Sequence, residues 1–238
     1  MYLCKNKMKR QQEESKRPEK LDVDETHEVT LHTLGDKKSW LISTKLSHSD
    51  RPSAEEVDQL WALRPETRGR VIIMGKSLET PRYSQAYSDE GKGYRFSGMQ
   101  HDALPIPTLL NRYLDYANEV CHTMLSSDYE GRKLNMVFVN WYEDGSHHIG
   151  YHSDDEKQLF LNKRGETLVF SISLGQERRF LVKEKKKPTK EKTLSLNLAN
   201  HSIIVMGGLC QANYKHSAPK IALKNVGRRL NLTFRIFK

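Results

Sequence analysis

The sequence predicts an α+β fold that is mainly β, with helices packed outside a β-sandwich. Three observations predict it. Apolar residues at helical spacing are confined to the N-terminal half. From Leu134 onward they come in short runs or alternate with polar residues, between turns rich in Gly, Asn and charge. The chain has 238 residues, enough for one domain with a sizeable core plus a tail.

Residues 1–30 read as a basic, disordered tail, because their charged and polar side chains offer almost nothing to bury. Lys5, Lys7, Lys9, Arg10, Lys16 and Arg17 suit a nuclear address, a loose phosphate contact or simply a solvated tail. The folded domain is expected over 31–238, beginning near Leu31–Leu46. Ser53-Ala54-Glu55-Glu56 after Pro52 resembles a capping box that opens a short helix, and Pro65 closes it. Leu109, Leu110, Tyr113, Leu114, Ala117, Val120 and Met124 mark a core-facing helix, with Pro105 and Pro107 just ahead. Strands are expected at Leu134–Tyr142, Thr167–Leu174, Arg179–Val182, Thr193–Leu198, Ser202–Met206 and Arg229–Phe237.

The formal net charge of +9 and a pI near 9.3 favour a polyanionic partner. Cys4, Cys121 and Cys210 form no C-x-x-C pair and no even disulfide framework. That suits a reducing compartment and argues against a zinc ribbon. The apolar runs, such as Val71–Met74 and Ile203–Met206, are strand-sized, so no membrane span is expected. The N-terminus lacks the apolar stretch of a signal peptide.

His152-Ser153-Asp154, followed much later by His216, is a candidate metal triad. Two imidazoles and a carboxylate on one side of a metal leave positions open, which suits a non-haem Fe(II) oxygenase. By itself the pattern is equally compatible with zinc or with no metal, since ten histidines make chance matches common. The second signal is Arg229 to Arg235, R-L-N-L-T-F-R. As a strand it places Arg229, Asn231, Thr233 and Arg235 on one face and Leu230, Leu232 and Phe234 on the other. Two guanidinium groups on a buried face are costly unless paired. A bound dianion is the economical explanation, because the arginine fork matches a carboxylate. The two arginines stand about 20 Å apart along a strand, so they serve different ends of the site.

Residues 140–156 read N-W-Y-E-D-G-S-H-H-I-G-Y-H-S-D-D-E. Together with the arginine strand, G-K-x5-R at Gly75–Arg82, Y-x-F-S-G at Tyr94–Gly98 and S-x-S-L-G at Ser171–Gly175, this segment resembles the AlkB family. These are Fe(II)- and 2-oxoglutarate-dependent dioxygenases that repair alkylated bases, and the likeness is strongest to the eukaryotic DNA-repair branch. It covers roughly Ile72 to Lys238.

The resemblance implies a double-stranded β-helix, or jelly roll, with the N-terminal helices packed outside it. It implies iron ligation by His152, Asp154 and His216, with 2-oxoglutarate and O2 as co-substrates. Arg229 would take the distal carboxylate, and Arg235 would lie near the metal-side carboxylate and Asp154. Asn140, Tyr142 and Asn231 would also contact the co-substrate. Glu156 would read the exocyclic amine of the damaged base, with Tyr94 and Phe96 lining the base pocket. Met74 stands where a DNA-repair relative carries a phenylalanine wedge, and Arg82 matches an arginine on the DNA side. Lys185, Lys186 and Lys187 sit in a basic loop matching one that touches the undamaged strand, where they would supply phosphate contacts. A solvated turn competes with that reading. Arg178, Arg179, Lys220, Lys224 and Arg228 would extend the basic surface, and His147 and His148 are read as loop residues. The implied activity is oxidative demethylation of 1-methyladenine and 3-methylcytosine in DNA, by a monomer in the nucleus or cytoplasm, with the nucleus favoured. An RNA demethylase and a silent nucleic-acid-binding protein are the competing readings.

Overall fold

The structure, a computed structural model, describes residues 28–91, 94–96, 99–125, 129, 131–186, 193–223 and 225–238. The expected tail and Lys187 therefore lie largely outside the described residues, as does Lys224. The N-terminal strands are β1 (Thr30–Thr33) and β2 (Ser39–Lys45), followed by helix α1 (Ala54–Ala62). Then come β3 (Arg70–Ile73), β4 (Lys76–Glu79), β5 (Tyr83–Tyr87), β6 (Tyr94–Phe96), β7 (Met99–His101) and β8 (Ala103–Leu104). Helix α2 (Thr108–Leu125) leads to β9 (Met136–Tyr142), β10 (Ile149–His152), β11 (Val169–Gly175) and β12 (Arg178–Glu184). The chain ends with β13 (Leu194–Leu198), β14 (Ser202–Gly208), the short α3 (Cys210–Asn213), β15 (Tyr214–Ala218) and β16 (Arg229–Arg235).

Eight strands form one sheet in the order β1-β2-β14-β11-β16-β9-β5-β8, and four form a second in the order β10-β15-β12-β13. All the pairings are antiparallel except β5 with β8. The strands β3 and β4 make a separate hairpin.

Strand alternation sorts the large sheet into two faces. Val137, Val139 and Trp141 of β9, Phe170 and Ile172 of β11, and Leu230, Leu232 and Phe234 of β16 belong to one core cluster. That cluster also holds Leu60 of α1 and Leu110, Tyr113 and Ala117 of α2. The indole Nε1 of Trp141 donates to Leu60 O at 3.0 Å, which meets the polar requirement of a fully buried ring. The other face carries Val169, Ile204 and Met206, packed with Val182 and Leu198 of the small sheet.

Helix α1 starts as its sequence dictates. Ser53 Oγ accepts from Glu56 N at 3.1 Å, satisfying one open donor of the first turn. The Glu56 carboxylate turns to α2, taking Arg112 Nη1 and Tyr113 OH, both at 2.8 Å. Strand β9 begins two residues later than the apolar run suggested. The side chain of Asn118 occupies both backbone groups of Leu134, so no neighbouring strand can use them. Gly207 lies opposite Trp40 in the β2–β14 register, and a Cβ there would come within 2.0 Å of the indole. Only glycine admits that ring. Among the described residues no helix is long and apolar enough to cross a membrane.

Candidate active site

The two sheets enclose a cavity lined from both sides. The large sheet contributes Asn140 and Tyr142 of β9, Ser171 of β11, and Arg229, Asn231, Thr233 and Arg235 of β16. The small sheet contributes His152 of β10 and His216 of β15. The polar face of β16 thus faces inward, as its alternation requires.

His152 and His216 are directly opposed in the β10–β15 pairing, so their rings sit 4.2 Å apart. Asp154 follows where β10 ends. Its backbone N–H donates to Gln211 Oε1 at 2.9 Å, and the neighbouring Ser153 hydroxyl donates to Tyr214 O at 2.8 Å. These two bonds hold the carboxylate between the imidazoles. Nε2 of His152 is 3.9 Å from Asp154 Oδ1, and Nε2 of His216 is 3.5 Å from Oδ2. The three ligand atoms lie within 4.8 Å of one another. Nδ1 of His152 bonds Gly150 O at 2.9 Å and therefore carries the proton, which leaves the Nε2 lone pair pointing at the triad.

The electrostatics match a cation site. Burial, aided by the neighbouring His216, pushes His152 down to about 3, so its imidazole is neutral. His216 is pushed down by burial as well. Burial works against the Asp154 carboxylate, but the adjacent Arg235 guanidinium outweighs it and keeps the group ionised. Arg235 Nη2 donates to Asp154 Oδ1 at 2.6 Å within a buried ion pair. Two neutral nitrogens and one carboxylate oxygen, with the rest of the cavity open to them, suit Fe(II) with co-substrates bound to the metal.

The far end of the cavity suits an anion. Arg229 is 3% exposed, and its Nη2 donates to Ser173 Oγ at 2.9 Å. Its Nε and Nη1 are buried with no hydrogen-bond partner among the described residues. Asn231 is fixed by Ser171 Oγ at 2.7 Å and Ile172 O at 3.0 Å. Ser171 and Ser173 were missed as supporting residues, although S-x-S-L-G alternates as a strand that would put both on the Arg229 face.

Other expected residues fall elsewhere. Arg82, expected on the DNA side, is buried and lines the cavity, with Nε donating to Asn140 Oδ1 at 2.6 Å. Arg178, expected on a basic surface, is 2% exposed. Lys185 is held by Asp155 at 3.2 Å and by Gln211 O at 2.9 Å, whereas Lys186 is exposed. Glu156 is half-buried just past the triad and does not line the cavity. Tyr94 and Phe96 lie on β6, paired with β7. Met74 is 97% exposed at the tip of the β3–β4 hairpin. His147 and His148 stand outside the triad; Nδ1 of His147 accepts from Glu143 N at 3.2 Å.

Comparison with known proteins agrees with this geometry. Residues 38–235 match the family model of the 2OG-Fe(II) oxygenase superfamily. The DNA oxidative demethylase ALKBH2 of Bos taurus is 33% identical over 70% of this chain and 56% of its own length. The Arabidopsis thaliana protein of the same name is 30% identical over 72% of this chain and 58% of its own. The chain thus spans less than two thirds of these relatives. The alpha-ketoglutarate-dependent dioxygenase alkB homolog 3 of Rattus norvegicus is 31% identical over 44% of this chain and 36% of its own length. A solved structure of OsALKBH1 superposes with a TM-score of 0.51 at 18% identity, covering 83% of this chain and 97% of that one, a likeness of fold.

Proposed function

The chain belongs to the 2OG-Fe(II) oxygenase superfamily, and on that premise we propose that it is an Fe(II)- and 2-oxoglutarate-dependent dioxygenase that removes N-methyl groups from alkylated bases in DNA. The observation that carries the reading is one cavity with a facial His152–Asp154–His216 cluster at one end and the unmet donors of Arg229 at the other. Bound iron, with O2 and 2-oxoglutarate, would supply the oxidising chemistry, releasing succinate and CO2. One oxygen atom would enter the methyl group, and the resulting N-hydroxymethyl base would lose formaldehyde to leave the unmodified base.

The protein's own part is to hold, orient and exclude water. His152, Asp154 and His216 would ligate the metal. Arg229, backed by Ser173, would take the distal carboxylate of the co-substrate. Asn140, Tyr142 and Asn231 would line its path, with Asn140 fixed by Arg82. Arg235 would keep Asp154 ionised and oriented. Phe180 packs at 5.4 Å from the His216 ring, which keeps that side of the cluster apolar.

The nucleic-acid substrate is supported by the names of the relatives and by the hairpin tip. Met74 has φ +49 and Gly75 φ +74, and Ile73 pairs with Lys76, so the turn is of the two-residue, left-handed class. Asparagine is favoured at the first position of such a turn. A fully exposed methionine there is locally unfavourable, which supports a wedge that enters the stack when a base is extruded. Glu156, Tyr94 and Phe96 would read the base, and Lys186 and Lys187 the phosphates. We place the protein in the nucleus or cytoplasm, with the nucleus favoured, acting as a monomer.

The test is to incubate the protein with Fe(II), 2-oxoglutarate and ascorbate and 1-methyladenine or 3-methylcytosine in single-stranded DNA, duplex DNA and RNA. Mass spectrometry should show loss of one methyl group, with matching formaldehyde and succinate, and DNA preferred over RNA. Succinate without demethylation would refute the substrate; neither product would refute the chemistry.

A further inference from the structure

Arg178 is the first residue of β12 and lies opposite Leu198, which lines the active-site cavity. Its Nη2 donates to the carbonyl oxygen of Asp144. Its Nε and Nη1 are shielded from solvent and have no hydrogen-bond partner among the described residues. The guanidinium carbon sits 5.9 Å from the centroid of the Tyr142 ring. That of Arg229 sits 5.1 Å from the same ring. Two buried cations therefore share one tyrosine. The nearby Asp144 carboxylate accepts the backbone N–H and hydroxyl of Ser146 on Oδ1 at 2.8 and 2.7 Å, and its charge offsets only part of the burial cost of Arg178.

Such a pair is unfavourable in the ligand-free protein. Each cation has lost hydration, each raises the cost of the other, and Nε and Nη1 of Arg178 lack acceptors among the described residues. A merely structural role for Arg178 would not need the charge, since one neutral donor could meet Asp144 O. The arrangement makes sense if negative charge arrives from outside.

We propose that Arg178 is a positioning residue for the co-substrate: the second cation of a cradle, built around Tyr142, that lacks one negative charge until a distal carboxylate binds. The inference rests on the reading of this cavity as a 2-oxoglutarate site and adds a residue to it. Arg229 would make the direct fork contact. Arg178 would act through its field and through the Tyr142 ring, so that part of the binding energy is relief of repulsion already present. The cradle would then reject 2-oxo acids whose far end is neutral.

The test is calorimetric titration of 2-oxoglutarate and of 2-oxovalerate into Mn(II)-loaded protein, which binds without turnover. Wild type, Arg178→Met and Arg178→Lys are compared, and the metal-free proteins are melted in parallel. Arg178→Met should bind 2-oxoglutarate more weakly by on the order of tenfold or more, the worth of a charge-assisted interaction. Arg178→Lys should recover part of that loss. The preference for 2-oxoglutarate over 2-oxovalerate should narrow in Arg178→Met, with Mn(II) affinity unchanged and the metal-free Tm equal or higher. Wild-type affinity for 2-oxoglutarate in Arg178→Met overturns the inference alone. So does a variant that melts lower or fails to fold, because Arg178 would then be a structural pin. If wild type takes up no 2-oxoglutarate, the reading of the cavity falls and the inference with it.

Discussion

Asp154 serves two partners at once, and that decides how the metal site should be tested. Its carboxylate faces both histidines and pairs with Arg235 in the buried interior. Asp154→Ala would remove a ligand and also strip Arg235 of its counter-charge, costing about 3–5 kcal/mol. We expect a lowered urea midpoint for metal-free Asp154→Ala, partly restored in the Asp154→Ala/Arg235→Met double variant. His152→Ala leaves that ion pair intact. It should fold normally yet lose Mn(II) binding in calorimetry, and retained binding would remove His152 from the ligand set. Two further residues carry a chemical prediction. Burial pushes the thiols of Cys121 and Cys210 up to about 12. Their thiolate fractions at pH 8 are therefore about one in ten thousand. Native protein should leave both unmodified by iodoacetamide under mild conditions, and urea should expose them, as read by peptide mass spectrometry.

At the scale of elements, the β3–β4 hairpin and the β1–β2 turn show local sequence serving different ends. Met74→Asn gives the hairpin the residue its left-handed turn favours, so stability should rise by about 0.5–1 kcal/mol. Turnover of methylated duplex should fall while single-stranded DNA is spared, and equal turnover on both would end the wedge reading. In the β1–β2 turn, Asp36 accepts from Lys38 N, Ser39 N, Ser39 Oγ and Asn213 Nδ2 at 2.7–3.0 Å. Burial raises its pKa, but these donors outweigh burial and the net shift is downward. The sign follows directly. The stabilisation is complete above the unfolded value of about 3.9 and is lost as pH falls through the lower folded value. Asp36→Ala should therefore cost about 1–2 kcal/mol at pH 7 and progressively less below pH 4. Denaturant unfolding at both pH values checks this, and a penalty independent of pH would contradict it.

Across the whole molecule, the helices seal one face of the large sheet while the small sheet roofs the other, which leaves the cavity between the sheets for chemistry. With a formal charge of +9, oligonucleotide binding should weaken log-linearly with salt, by a slope of about 0.7–0.9 per phosphate neutralised. Fluorescence anisotropy across a salt series measures it, and an affinity indifferent to salt would rule out phosphate contacts. Much of this architecture was legible in the chain. A capping box found α1, helical spacing found α2, apolar runs found β9 and β11 as strands, and alternation gave β16 its two faces. The strands β10 and β15 were not found, because each is short, polar and held by neighbours in its own sheet that lie far away in sequence. They nevertheless carry both histidines of the triad. The sequence by itself determined the ligand types, the two faces of β16 and the anion-binding chemistry, since these follow from residue identity and from a period of two. Only the tertiary structure decided which arginines beyond Arg229 and Arg235 turn inward. Arg82 and Arg178 look like surface cations in the chain, yet both are buried. A guanidinium on a long flexible stem takes its environment from what packs around it, and here that packing joins strands far apart in sequence.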